Sequence, residues 1–155
     1  MSDIDQSRSN RASIDESVID IYNELRDDNK DRIGLNVERS PFPTLKDIFM
    51  FSTCLGFQKR IRKKLSPGKK TTIRLEVFTE SDIALLKSIA IAETGDIKVL
   101  GNTGDILTIA EEYAYSGIQD LKELLLDQGG KPLWNLINIL KDNGNLDKSD
   151  ESLLV

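Results

Sequence analysis

Eight cations, Lys59, Arg60, Arg62, Lys63, Lys64, Lys69, Lys70 and Arg74, fall within sixteen residues that contain no acid. The chain as a whole carries a net charge of −5, so the rest of it stands near −13. Segregation of this kind gathers positive potential in one place, where it attracts phosphates even on an acidic protein. The embedded Ser66-Pro67-Gly68 supplies a turn that would present the charges. Three readings fit the run: a solvated face paired with the chain's own acids, contact with a nucleic-acid backbone, or docking of an acidic protein by electrostatic complementarity. The set assigned to DNA phosphate contact is Lys59, Arg60, Arg62, Lys63, Lys64, Lys69 and Lys70. The nearest aromatic residues are Phe57 and Phe78, too few to stack on bases, so sequence-selective reading of single strands is not expected.

Other chemistry finds little support. Histidine is absent, which removes the commonest general base and the commonest neutral metal ligand. A magnesium-dependent nuclease needs converging acids with a lysine nearby. The nearest groupings are Glu111-Glu112 and Asp120 with Glu123, which fall on predicted helices where exposed acids are ordinary. Ser66 to Thr71 ends like a phosphate loop but lacks the leading glycine and the preceding strand. The single cysteine, Cys54, lies among apolar residues and reads as a small buried side chain. No catalytic residue, metal site or cofactor is therefore expected, and no small-molecule ligand.

The elements that would position the basic run follow from periodicity. A chain of 155 residues with 39% apolar content suits one domain with a core of its own. Residues 1–12 have almost nothing to bury and read as a disordered arm. Ser13-Ile14-Asp15-Glu16 has the form of a capping box opening a helix to about Asp28, with Ile14, Val18, Ile21, Tyr22 and Leu25 as its buried stripe. Residues 29–43 carry Gly34, Pro41 and Pro43 and read as a connector. Thr44 with Asp47 then caps a central, apolar helix closed by Gly56.

Thr71 to Phe78 alternates apolar and polar residues at the period of a half-buried strand, with Ile97 to Leu100 as its expected partner. Between them, Thr79 to Asp82 forms a second capping box for a helix ending at Gly95. Ile106, Ile109, Ala110 and Tyr113 mark a helix that Gly117 ends or kinks, and Ile118 to Leu125 mark the next. Pro132 opens a last helix carrying Leu133, Trp134, Leu136, Ile137 and Leu140, in which Trp134 is more naturally core than an interface anchor. The expected fold is thus mostly α, a compact bundle of five to six helices with at most a small two-stranded β element. One helical domain spans 13–141, and 142–155 is a loose acidic tail. No stretch approaches the roughly 18 apolar residues of a membrane span, and the polar N-terminus lacks the apolar core of a signal peptide, so a cytoplasmic location is expected.

Several segments together resemble the small DNA phosphorothioation-associated (Dnd-associated) proteins of bacteria. They are Lys46-Asp47-Ile48-Phe49-Met50-Phe51 running through Cys54-Leu55-Gly56-Phe57, then Ile89 to Asp96, then Glu111-Glu112-Tyr113-Ala114 with Gly117, and Leu121-Lys122-Glu123. Their order covers roughly residues 42–140. Ser52 and Thr53 depart from the alanine-like residues the pattern suggests, and Tyr115-Ser116 from an Asn-Gly type turn. The resemblance implies an accessory protein of an antiviral restriction-modification system that replaces a backbone oxygen of DNA with sulfur and attacks unmarked DNA. It transfers no catalytic residue. Residues and resemblance together give a non-enzymatic accessory protein that touches the DNA backbone through its basic loop. The alternative is a subunit that docks on a larger modification or restriction protein without touching DNA.

Overall fold

The computed structural model describes residues 10–27 and 37–153, with side chains through residue 142. Within these residues the chain forms five helices and a two-stranded antiparallel sheet: β1 (Arg11–Asp15), α1 (Ile19–Leu25), α2 (Leu45–Lys59), β2 (Lys70–Arg74), α3 (Glu80–Thr94), α4 (Thr103–Leu125) and α5 (Pro132–Leu153). The mostly helical architecture with one small sheet is the one the periodicity predicts.

The core is organised on the crossing of α2 and α4, where small residues let the two backbones touch. A Cβ placed on Gly117 would lie 1.8 Å from the Ser52 carbonyl oxygen, and one on Gly56 would lie 2.0 Å from that of Tyr113. Thr53 donates its hydroxyl to the Phe49 carbonyl at 2.7 Å, satisfying a polar group that is wholly buried. Around this seam pack Phe49, Ile48, Ile118, Leu121 and Leu125, all fully buried. The sequence predicts that Gly56 closes its helix and that Gly117 ends or kinks the later one. Instead α2 continues to Lys59 and α4 runs unbroken from Thr103 to Leu125, because each glycine provides room for the other helix inside a regular turn.

The N-terminal segment differs most from expectation. Ser13 does not cap a helix: residues 11–15 form β1, paired with β2 in the register Arg11↔Arg74 to Asp15↔Lys70. Ala12 and Ile14 are buried while Arg11 is exposed, a period of two. The Ser13 amide donates instead to Glu111 Oε2 at 2.6 Å, a partner 98 residues away that no local pattern reveals. The helical cap falls on Asp15, which accepts the Ser17 amide, and α1 begins only at Ile19. The arm expected over 1–12 therefore yields its last residues to the sheet; residues 1–9 lie outside the described residues.

β2 consequently pairs with β1 and not with Ile97–Leu100, which forms a 3-10 turn with Ile97 70% exposed. β2 itself stops at Arg74, and Leu75–Val77 is a second 3-10 turn. Of the expected connector, residues 29–36 lie outside the described residues, and Phe42 is buried and bridged to Arg26. The cap at Thr44 forms, its side chain accepting the Asp47 amide, and the capping box at Thr79 forms with both reciprocal bonds. Pro132 opens α5, whose backbone stays helical to Leu153, beyond the Asp142 boundary expected for a loose tail. Trp134 is not core: it is 53% exposed.

Candidate nucleic-acid interface

The basic run begins where α2 ends. Arg60 closes the helix in the left-handed conformation (φ 57°), and the Arg60 and Ile61 amides return to the Phe57 and Gly56 carbonyls. From there residues 61–66 travel extended, without ladder bonds of their own, until β2 starts at Lys70. Gly68, at φ 113°, makes the turn that Ser66-Pro67-Gly68 predicts.

Three anchors fix this extended segment. The Lys63 amide donates to the Glu112 carbonyl of α4 at 3.1 Å. The Ser66 amide donates to Asp15 Oδ2 at 2.6 Å, and Asp15 is only 3% exposed. Lys70 Nζ donates to the Ser66 and Gly68 carbonyls, bracing the turn from inside. Burial works to raise the Asp15 pKa, but the bonds from Ser17 and Ser66 outweigh it and leave the carboxyl below its ordinary range. A relay of contacts continues from Asp15 through Ser17 to the Tyr115 hydroxyl, whose ring carries Lys63 Nζ 4.5 Å above its centroid.

The seven residues assigned to phosphate contact separate into two groups. Lys59 binds Asp120 at 2.5 Å, and Arg62 bridges Glu93 at 2.9 Å and Glu112 at 3.2 Å. Burial works to lower the Arg62 pKa, and the two glutamates overcome it. Glu93 is held below the usual carboxylate range first by the Tyr113 hydroxyl, then by Arg62. These two cations therefore fasten the segment to α3 and α4. Arg60 stacks 3.9 Å over Phe57. Lys63, Lys64, Lys69 and Lys70 have no ion-pair partner among the described residues, and Lys63, Lys64 and Lys69 are exposed.

Three of the four acids weighed for magnesium chemistry are occupied in structural roles, and the fourth, Glu123, is exposed. Glu111 is buried and accepts the Ser13 amide, Glu112 holds Arg62, and Asp120 holds Lys59. Among the described residues no three metal-ligating side chains converge. Cys54 is half-buried, and burial pushes its thiol pKa up, away from the reactive thiolate. Sequence reasoning missed Asp15, Ser17 and Tyr115, which hold the segment. The chemical hint was the acid in Ser13-Ile14-Asp15-Glu16, which was assigned to a helix start.

The chain matches the model of one protein family, DNA sulphur modification system-associated protein 4, over residues 20–154. No curated protein and no solved structure matches it. Among the described residues no helix is long and apolar enough to cross a membrane.

Proposed function

We propose, from the premise that this chain belongs to the DNA sulphur modification system-associated protein 4 family, that it acts as a non-enzymatic accessory protein that contacts the DNA backbone through residues 59–70. Family membership supports the accessory role in a DNA sulphur modification system. Work beside DNA in a bacterial antiviral restriction system, in the cytoplasm, belongs to the same reading.

The observation that carries the DNA contact is the division of labour among the cations. Lys59 and Arg62 are spent on internal acids, while Lys63, Lys64, Lys69 and Lys70 stand on a braced segment without acidic partners among the described residues. A preorganised row of cations suits a regular row of phosphates, since little chain entropy remains to be lost on contact. Within the assigned set, Lys63, Lys64 and Lys69 are the phosphate contacts, Arg60 flanks them, and Lys59, Arg62 and Lys70 position the segment.

The test is binding to labelled duplex DNA, with and without phosphorothioate, across a salt series. Three phosphate contacts give a slope of roughly −3 in log affinity against log salt, at about −0.9 per contact. Replacing Lys63, Lys64 and Lys69 with Gln should abolish it. Absence of binding at low salt overturns the DNA reading. In that event the docking alternative takes over, favoured by Trp134 and Leu140, which are 53% and 54% exposed on α5.

A further inference from the structure

The far end of the sheet from the Asp15↔Lys70 pair ends on two arginines. Arg11 and Arg74 face one another across the last rung of the ladder. Like charges directly opposite on paired strands destabilise the pairing. Among the described residues the acid paired with them is Glu76, which also lines the groove beside them, 3.6 Å from Arg74, with side chains 68% and 74% exposed, where such a pair contributes little. Arg11 has no ion-pair partner among the described residues.

These arginines stand at the mouth of a groove of about 800 Å³ between the sheet, α3 and α4. Its floor is apolar, made by Leu75, Ile83, Leu86, Ile106 and Leu107. Lys87 adds a third cation to the rim, and Asn10 and Thr103 bring side chains that can both donate and accept hydrogen bonds. The volume and the mix of an apolar floor with a few polar groups are those of a binding site.

We infer that this groove receives a short peptide segment of a partner protein in which branched apolar side chains alternate with aspartate or glutamate. The apolar residues cover Leu75 and Ile83, the half-buried members of the floor. The carboxylates lie between Arg11, Arg74 and Lys87 and relieve the repulsion that the register imposes. Asn10 and Thr103 meet the peptide main chain. A DNA backbone would use the cations but leave the half-buried Leu75 and Ile83 uncovered, so charge and burial together favour the peptide. The site shares no residue with the proposed phosphate contacts, so either can fail without the other.

The experiment uses the full chain labelled with ¹⁵N and two defined pools of synthetic octapeptides. One combines Leu, Ile and Val with Asp and Glu; the other combines the same apolar residues with Lys and Arg. The acidic pool should shift the amides of Leu75, Ile83, Lys87 and Leu107 saturably, and the basic pool should not. Arg11→Glu with Arg74→Glu should weaken the acidic pool at least about tenfold, as charge reversal across a complementary contact does. Both residues are exposed, so the fold should persist, and an unchanged amide spectrum checks this. Absence of shifts at millimolar acidic pool, equal response to both pools, or tighter binding of sodium octanoate than of the acidic pool would each overturn the inference.

Discussion

Asp15 Oδ2 receives the Ser66 amide at 2.6 Å across a sequence gap of 51 residues, joining the first strand to the turn of the basic segment. The same carboxylate accepts both the amide and the hydroxyl of Ser17. One acid therefore starts the first helical turn and holds the cationic segment against the domain.

Asp15→Ala should cost roughly 1.5–3 kcal/mol, the range for losing hydrogen bonds to a charged, buried acceptor. Chemical denaturation measures the loss, and hydrogen exchange at the Ser66 amide locates it. Unchanged protection of that amide would show that the turn is held by other means.

Acid should weaken the fold through three carboxylates whose pKa values lie below ordinary. For Asp15 and Asp82 burial opposes the shift and hydrogen bonds overcome it, from Ser17 and Ser66 in one case and from Lys46 and Thr79 in the other. For Glu93 the Tyr113 hydroxyl leads. A carboxyl that is more acidic folded than unfolded contributes stability that is complete above its unfolded value and lost as pH falls through the folded one. Stability should thus hold above the ordinary values of 3.8 and 4.5 and decline below them. Denaturation midpoints across an acid series should show this, with a shallower decline in Asp15→Asn.

Gly117→Ala should be among the most damaging single changes in the chain. The added Cβ would meet the Ser52 carbonyl at 1.8 Å, and backbone cannot step aside as a flexible side chain can. Overpacking costs typically about 1–3 kcal/mol, and a backbone clash belongs at or above the top of that range. Gly129→Ala, with nothing within 4 Å, is the matched control and should leave the melting temperature nearly unchanged. Equal effects of the two would refute the close crossing of α2 and α4.

Trp134 is the single tryptophan, so its fluorescence reports one site. At 53% exposure it should be quenched freely by acrylamide in the native protein, and Trp134→Ala should change stability by no more than about 0.5 kcal/mol. A shielded tryptophan would place α5 against another surface.

The legible parts of the fold were those written in local chemistry. Thr79 and Asp82 form their box because both partners lie within one turn, and Ile106, Ile109, Ala110 and Tyr113 mark α4 by spacing alone. What stayed hidden depends on distant partners. Ser13 looked like a cap because the acceptor of its amide, Glu111, is nearly a hundred residues away, and β2 was given the wrong mate because β1 resembles a helix start. Gly56 and Gly117 have the same composition whether they stop a helix or let another approach; only the crossing distinguishes them. The basic run was visible as charge. Which of its members are free to meet a phosphate depends on where Glu93, Glu112 and Asp120 come to lie, and that is a property of the packed helices.

The bracing of residues 61–70 has a calorimetric consequence. A loop that folds onto its partner buries apolar surface as it orders and shows a large negative heat-capacity change. This segment is already fastened to Asp15, Glu112 and Glu93, so the proposed contact with a polyanion would leave its conformation and its apolar surface nearly as they are. Its association should be governed by release of counterions, with an enthalpy that barely varies with temperature and a dependence on salt that carries almost the whole signal.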